Sequence, residues 1–327
     1  MPDPLVTIDD ITAAAERICG RVARTPLVSF ASSDPGRPLW LKPENLQPTG
    51  AFKLRGAFNA ILQRLDDARA SGVVTHSSGN HARAVAWVAR ELGVRAVIVM
   101  PDAAPAVKVD GVRKLGAEVV IVTPPERDIH AFELADRHGY VLVPPYDDAD
   151  VVAGQATVGL EIVTDCPDAA TVLVPVSGGG LIGGVATAIK ARSPKTRVIG
   201  LEPELAGDAT ESFRRGERVS WTPEQTYRTI ADGLRTTEVG EIPWRQMQCY
   251  VDDIVTVSED EIRDAVRRLA VDARLVAEPS GAVPVAGYLH HADQLQLRGN
   301  VVAVVSGGNI APELLAELLS SWSESGT

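Results

Sequence analysis

The chain has 327 residues, of which 45% are hydrophobic and 23% charged, an ordinary composition for a globular protein with one large or two medium α/β domains. Its formal net charge is −11, which excludes long-range attraction to a nucleic-acid backbone or to an anionic membrane surface. We therefore expect no nucleic acid and no membrane as partner.

Short apolar runs alternate with longer amphipathic segments along most of the chain, as is typical of parallel sheets covered by helices. The predicted strands are 72–75, 95–100, 118–123, 140–143, 171–176, 197–201 and 301–305. The predicted helices are 80–92, 107–115, 129–138, 150–164, 181–192 and 259–271. Capping boxes are predicted at residues 258–261 and, more weakly, at 7–10. Residues 210–250 have no clear period and predict loops and short helices.

Three predicted strands each end in a turn rich in serine and glycine. The turns are VVTHSSGN (73–80), VLVPVSGGG (172–180) and VVAVVSGGN (301–309). In an open parallel sheet, ligands bind beyond the carboxyl ends of the strands, where glycine lets backbone amides approach and the next helix offers its positive end. We expect the three turns to surround one ligand.

The segment KPENLQPTGAFKLRGAFNAI, residues 42–61, places Lys53 among small and apolar residues at helical spacing. The turn Pro48, Thr49 and Gly50 directly precedes this predicted helix. An ordinary lysine at such a position would extend its amine to solvent. The apolar surroundings of Lys53 instead indicate a specific role for this lysine.

The glycine-rich segment 178–183 satisfies G-x-G-x-x-G between a strand and a helix, and Glu202 follows about twenty residues later. This pattern favours an NAD(P)-dependent oxidoreductase as an alternative. However, the preceding Ser177 gives four successive small residues, which suit a single phosphate group. The dinucleotide interpretation also leaves Lys53 and the other two turns unexplained. A third alternative is a binding module of the same fold without catalysis.

Three cysteines, Cys19, Cys166 and Cys249, are far apart and form no C-x-x-C pattern, which predicts reduced thiols rather than a disulfide frame or zinc site. No basic segment followed by an apolar one begins the chain, and no apolar run approaches the length that spans a bilayer. We therefore expect a cytoplasmic protein.

From about residue 8 to about residue 309, an ordered set of motifs resembles one known family. The motifs are LKPENLQPTGAFKLRGAFNA, THSSGNHARAVA, VAGQATVGLEI, VPVSGGGLIGG, GLEPELAGDA, TIADGLRT, AEPSGAV and VVSGGN. Together they resemble the fold-type II pyridoxal-phosphate enzymes, in the serine/threonine dehydratase (ammonia-lyase) and serine racemase branch. The resemblance implies a tryptophan synthase β-like α/β fold, with a large cofactor-binding domain (1–70 and 148–327) and a small mobile domain (71–147).

The resemblance implies that Lys53 forms a Schiff base with the aldehyde of pyridoxal 5′-phosphate, and burial would keep part of its amine unprotonated. It further implies that Asn80 bonds the 3′ oxygen, that Ser306 faces the pyridine nitrogen and that the loop 177–180 holds the phosphate. The implied cofactor-binding residues are Phe52, Lys53, Asn80, Ser177, Gly178, Gly179, Gly180, Leu181, Glu278 and Ser306.

The implied catalytic residues are Lys53 and Ser78, and the resemblance makes Ser78 a second acid/base group on the opposite face of the cofactor. An alternative is that Ser78 bonds only the substrate carboxylate or the turn. The implied substrate-binding residues are Ser77, Ser78, Asn80, His81 and Arg127. Arg127 would suit a second carboxylate, as in 3-hydroxyaspartate, although an ordinary exposed arginine is an equal alternative.

Glu202, Ala206 and Asp208 match the cation site of the family, and oxygen ligands select Mg²⁺, Ca²⁺ or Mn²⁺ over zinc. An acidic surface loop is the alternative. Two departures from the family pattern occur: Ala51 stands in place of a serine, and HARA (81–84) replaces His-Ala-Gln-Gly. The implied activity is β-elimination of L-serine, L-threonine or 3-hydroxyaspartate, with serine racemisation as a side or principal reaction. A homodimer is expected from the family alone.

Overall fold

The structure is a computed structural model that describes residues 5–320 of the chain. Its ten strands form one sheet of six and one of four. The strands are β1 (Val28–Ser29), β2 (Leu39–Pro43), β3 (Val73–His76), β4 (Ala96–Pro101), β5 (Glu118–Val122), β6 (Val141–Leu142), β7 (Ala169–Pro175), β8 (Arg197–Pro203), β9 (Asp253–Val257) and β10 (Asn300–Val305).

Fourteen α-helices lie among the described residues and cover both sheets. They are α1 (Ile8–Ile18), α2 (Lys53–Gln63), α3 (Leu65–Ser71), α4 (Asn80–Leu92), α5 (Ala106–Lys114), α6 (Arg127–His138), α7 (Ala149–Asp165), α8 (Gly180–Arg192), α9 (Asp208–Arg215), α10 (Pro223–Thr226), α11 (Glu241–Tyr250), α12 (Glu259–Asp272), α13 (Pro279–His290) and α14 (Pro312–Ser320).

The six-stranded sheet has the order β1-β2-β10-β7-β8-β9, and only the β1–β2 pairing in it is antiparallel. Its central strands are buried on both faces, as expected for parallel strands under helices. On β10, Val301, Ala303 and Val305 pack with the core beneath α12 and α13, whereas Val302 and Val304 pack with the core beneath α8 and α11. The period of two thus divides each strand between two cores.

The four-stranded sheet has the order β5-β4-β3-β6, and all its pairings are parallel. On β4, Ala96, Ile98 and Met100 pack toward α2, α4 and α5, while Val97 and Val99 pack toward α6. This sheet lies between residues 73 and 142, and the larger sheet is built from both flanks. The exact domain bounds, 71–147 within 1–70 and 148–327, stay a prediction.

All seven predicted strands and all six predicted helices occur, with ends shifted by one or two residues. Both predicted capping boxes form, at Thr7–Asp10 and at Ser258–Glu261. The α/β fold class is confirmed. Among the described residues, no helix combines the length and the apolar character that crossing a membrane requires.

Candidate active site

Lys53 begins α2 and is partly buried between the two sheets. Its amine donates a hydrogen bond to the Pro145 carbonyl oxygen and lies 5.1 Å from the centroid of the Phe52 ring. Burial lowers the pKa of Lys53 to about 8, because removing an ammonium from water disfavours its charged form. About one-tenth of the amine is therefore unprotonated at pH 7 and able to act as a nucleophile.

The turn that carries Lys53 is joined to the end of β10 by backbone contacts. The Phe52 amide donates to the Ser306 carbonyl oxygen at 3.0 Å, and Ala51 forms an isolated β-bridge with Gly307. Ala51 and Ser306 are both buried. The side chain at position 51 therefore faces protein, and alanine fills this space where the family has serine. These contacts place Ser306 next to the reactive lysine.

The loop 177–180 connects β7 to the start of α8. Gly179 has φ +85°, and a Cβ added there would lie 2.9 Å from Met247 Sδ, so both conformation and space require glycine. The Gly178 carbonyl oxygen accepts from the Gly240 amide at 3.1 Å. At the other end, the Ser177 hydroxyl lies 2.7 Å from the Thr236 hydroxyl. A helix start preceded by such a loop is suited to holding a phosphate group.

Tyr146 covers this glycine loop and was not identified from the sequence. A Cβ added to Gly178 would lie 2.5 Å from Tyr146 Cδ1, so the ring packs on the bare Gly178 backbone. Since Lys53 bonds the carbonyl of the adjacent Pro145, one short segment joins the lysine to the glycine loop. An aromatic residue in a loop gives no periodic signal, which explains why the sequence did not reveal it.

Asn80 is the first residue of α4, and its side chain is hydrogen-bonded to Glu278 and Asn309, which belong to two other segments of the chain. Its Nδ2 donates to Glu278 Oε1 at 2.6 Å, and its Oδ1 accepts from Asn309 Nδ2 at 2.7 Å. The amide keeps one donor hydrogen and one lone pair for a ligand. Arg83, where the family has glutamine, donates to Asn309 Oδ1 at 3.0 Å. This departure therefore supports the same network instead of disrupting it.

Glu278 is buried beneath this network. Burial is the main cause that raises its pKa to about 7; the charge of Asp232 acts in the same direction, and the hydrogen bond from Asn80 opposes the shift. Its backbone amide donates to the Gly307 carbonyl oxygen at 3.1 Å. The carboxyl group thus lies where the turns after β3 and β10 meet, as the prediction of a shared ligand site requires.

The predicted substrate turn, residues 77–80, leads from β3 into α4. The Gly79 amide donates to Ser77 Oγ at 3.2 Å, and Ser78 is partly exposed. His81 lies behind the turn, where its Nε2 is 2.9 Å from the Val143 carbonyl oxygen. Burial lowers the pKa of His81 to about 3, and the charge of Lys53 adds to the shift. This placement favours a supporting role for His81 over direct substrate contact.

Arg127 begins α6, where its Nε lies 2.9 Å from Asp128 Oδ1. The same Asp128 oxygen is 2.9 Å from Nδ1 of His76, the residue before the substrate turn. The first turn of α6 is thus attached to the substrate turn. The sequence identified Arg127 but not its partner Asp128.

The predicted cation ligands lie together between β8 and α9. Glu202 and Asp208 are buried, and the Glu202 carboxylate accepts backbone hydrogen bonds from Ala209 and Thr210 at 3.2 and 2.8 Å. Neither carboxylate oxygen of Asp208 has a hydrogen-bond partner within residues 5–320. Burial raises the pKa of Asp208 to about 7; burial and the neighbouring Asp208 charge raise the pKa of Glu202. A buried pair of this kind fits a divalent cation.

The described residues contain no group of three or more His, Cys, Asp and Glu side chains arranged to hold a metal, so a cation here would also need the carbonyl of Ala206 and water. The Glu202 carboxylate accepts hydrogen bonds from backbone amides at the start of α9. Because Glu202 is also fully buried, its carboxylate lacks the exposure to a ribose that the dinucleotide alternative requires.

A buried cluster of charged residues packs against α2. The sequence analysis did not identify this cluster. Arg55 bonds Glu44 and Glu161, both at 2.7 Å, and Lys42 bonds Glu161 at 2.5 Å. The two negative and two positive charges compensate each other, which offsets part of the free-energy cost of burying them. The cluster joins β2, α2 and α7 at a position two residues after Lys53, and so anchors the first turn of the helix that carries this lysine.

Together, a lysine amine of lowered pKa and a glycine cradle for phosphate define an enzyme that binds a phosphorylated carbonyl compound. The chain belongs to the family of pyridoxal-phosphate dependent enzymes, whose family model matches residues 18–307. This result confirms the predicted resemblance and favours pyridoxal phosphate over the dinucleotide.

Named relatives fall in the predicted branch of this family. The chain is 42% identical to the L-threonine ammonia-lyase of Thermotoga maritima, over 97% of this chain and 79% of that protein. It is 38% identical to the L-threo-3-hydroxyaspartate ammonia-lyase of Saccharomyces cerevisiae, over 96% of each. The solved structure of maize serine racemase superposes with a TM-score of 0.90 at 37% identity, over 97% of this chain and 98% of that one.

Proposed function

We propose that this chain eliminates water from a small hydroxy amino acid, L-serine, L-threonine or 3-hydroxyaspartate, and so yields a 2-keto acid and ammonia. The observation that carries the proposal is the Lys53 amine, with its pKa near 8, beside a glycine loop and a serine-rich helix start. The named activities of the relatives support the same reaction class. Serine racemisation is proposed as a second reaction and as the alternative principal one.

Pyridoxal phosphate, when bound, supplies an electron sink for the electron pair left at the substrate α-carbon. The proposed ligands are Lys53, Phe52, Asn80, Ser177, Gly178, Gly179, Gly180, Leu181, Glu278 and Ser306. The loop 177–180 and the start of α8 would hold the phosphate through backbone amides. The hydroxyl of Ser306 would face the ring nitrogen without protonating it as a carboxylic acid would.

The chain's own acid/base groups then decide the product. Ser77 and Asn80, with the backbone amides at the start of α4, would bind the substrate carboxylate. Lys53 would take the α-proton from one face. Loss of the β-hydroxyl as water then leads to an enamine, whose imine tautomer is hydrolysed to keto acid and ammonia. A proton returned by Ser78 to the opposite face leads instead to the enantiomer.

A divalent cation, Mg²⁺, Ca²⁺ or Mn²⁺, is proposed at Glu202, the Ala206 carbonyl and Asp208. The unpartnered, buried oxygens of Asp208 support this assignment, because a buried carboxylate without a partner is costly. Closure of the small domain (71–147), a homodimer and a cytoplasmic location are proposed by family analogy.

The proposal is tested by the colour and products of the purified protein. We expect a visible absorption band that is absent in Lys53→Ala. Incubation with L-serine, D-serine, L-threonine and 3-hydroxyaspartate should release keto acid, and chiral analysis of recovered serine measures racemisation. A colourless protein that binds a nicotinamide dinucleotide tightly would overturn the proposal in favour of the oxidoreductase. A coloured protein inert toward every substrate would favour the binding module.

A further inference from the structure

The first turn of α6 brings a cation and an anion to the edge of the predicted substrate turn. The Asp128 carboxylate lies 2.9 Å from Nδ1 of His76, which directly precedes Ser77 and Ser78, so α6 begins beside the residues proposed to bind substrate. Its neighbour Arg127 is partly exposed. This arrangement places the start of α6 beside the turn 77–80.

Tyr146 lies between the start of α6 and the glycine loop 177–180. Burial is the main cause that raises the pKa of Tyr146 to about 12; the charges of Asp128 and Asp147 act in the same direction, while the charge of Arg127 opposes them. Both α6 charges therefore act on a side chain whose ring lies on the glycine loop at Gly178. A substrate between this loop and the turn 77–80 would meet their combined field.

That combined charge is close to zero. The Arg127 guanidinium and the Asp128 carboxylate are 2.9 Å apart, so the positive charge is largely compensated at the distance of a substrate. Nδ1 of His76 lies 2.9 Å from the same carboxylate oxygen, so Asp128 stands between Arg127 and the residue before the turn 77–80. A free arginine would be a strong, bidentate binder of a second carboxylate. Arg127 here has a competing anion within the protein.

We propose that Asp128 sets the substrate class, by neutralising Arg127 so that the site prefers hydroxy amino acids with an uncharged side chain over those with a second carboxylate. The inference rests on the proposed function and selects L-serine and L-threonine among its substrates. Specificity of this kind arises as much from the compensating anion, which repels a dianionic substrate, as from any attractive contact.

The inference is tested with Asp128→Asn, which keeps the shape of the side chain and removes its charge. We expect the ratio of kcat/KM for L-threo-3-hydroxyaspartate to that for L-threonine to rise about tenfold, because the Arg127 charge is then no longer compensated and attracts the second carboxylate. The double variant Asp128→Asn with Arg127→Gln should lose the gain. Glu133→Gln, on the same helix and paired with His130, makes the same charge change and should leave the ratio unchanged.

Binding provides a readout independent of turnover. Succinate and butyrate are four-carbon acids that differ by one carboxylate, and calorimetry measures their affinity for the holoenzyme. Asp128→Asn should lower the dissociation constant of succinate about tenfold and leave that of butyrate unchanged. Because Asp128 is exposed, we expect the variant to fold, and Asp128→Ser replaces it if thermal unfolding shows otherwise.

Two results separate the inference from the proposed function. If the wild type releases keto acid but prefers 3-hydroxyaspartate to L-threonine, or if Asp128→Asn changes the ratio no more than Glu133→Gln, the inference is wrong and the proposed function stands. If the wild type acts on none of the hydroxy amino acids, the proposed function itself is wrong, and the succinate and butyrate affinities still report on Asp128.

Discussion

The ring of Tyr146 packs on the backbone of Gly178 at a distance that leaves no space for a Cβ atom. Gly178→Ala would force the ring and the loop apart, and overpacking of this kind costs about 1–3 kcal/mol. We therefore expect the dissociation constant for pyridoxal phosphate to rise about tenfold, measured by equilibrium dialysis of the cofactor-free protein.

The second-site change Tyr146→Ala should restore much of the affinity that Gly178→Ala loses, because the two residues are in contact and their effects are not additive. Gly111→Ala is the control, since a Cβ added there meets no atom within 4 Å. Additive losses in the double variant would show that the Tyr146 ring does not shape the loop.

The pKa of Lys53 predicts how its reactivity depends on pH. Burial lowers this pKa from 10.5 to about 8, and only the unprotonated amine attacks an electrophile. The rate of acetic anhydride labelling in the cofactor-free protein should therefore rise about tenfold per pH unit below pH 8 and level off above it. Mass spectrometry measures the labelling, with exposed Lys195 as the reference for reagent concentration. A midpoint near pH 10 would contradict the lowered pKa.

Much of the site could be predicted from the sequence because its residues follow strand ends. Parallel strands give apolar runs, the turns after them are marked by serine and glycine, and the topology brings these turns together. The sequence analysis thus grouped Lys53, Asn80 and Ser306, which the structure brings together, and their roles stay a prediction. It missed β2. A lysine such as Lys42 is usually exposed, whereas in the structure this residue is buried and paired with Glu161.

What the sequence could not provide is which charges are buried and which charges compensate each other. Arg55 and Glu44 are fully buried, yet charged residues are almost always exposed unless paired. The pairing depends on the approach of α2 to α7, which no local pattern encodes. The same holds for Asp128, whose importance follows from its contacts with Arg127 and His76 rather than from any motif.

Glu278 predicts a pH dependence of stability. Its pKa is raised in the folded protein, mainly by burial, from 4.5 to about 7, so the folded state binds more protons than the unfolded state between these values. The free energy of unfolding should fall as pH rises from about 4.5 to 7, by about 3 kcal/mol at most for this group. Urea unfolding across this range should show the fall in the wild type and a flatter profile in Glu278→Gln.

Glu313→Gln removes an exposed carboxylate and is the control for that comparison. It should keep the wild-type pH profile. If Glu278→Gln loses stability with pH as steeply as the wild type does, the carboxyl group of Glu278 is ionised at a normal pKa in the folded protein.

The cation site predicts a stability response to metal. Addition of Mg²⁺, Ca²⁺ or Mn²⁺ to chelator-treated protein should raise its Tm, because a ligand at one hundred times its dissociation constant stabilises the folded state by about 2.7 kcal/mol. Asp208→Asn should abolish the response. Glu204→Gln, an exposed neighbour in the preceding turn, should retain it. An equal response in both variants would place the cation elsewhere.

Ser78 predicts how the reaction divides between two products. Ser78→Ala removes the hydroxyl proposed to return a proton, whereas Lys53, which takes the α-proton, is unchanged. Racemisation of L-serine should fall at least tenfold more than its elimination to keto acid, since removal of one acid/base group costs roughly 10²–10⁴-fold in the step it serves. Chiral chromatography and a keto-acid assay on the same samples measure the two rates.

Ser77→Ala, which removes the hydroxyl that bonds the Gly79 amide, should lower both rates to a similar extent. Equal losses in Ser78→Ala would mean that Ser78 only binds substrate.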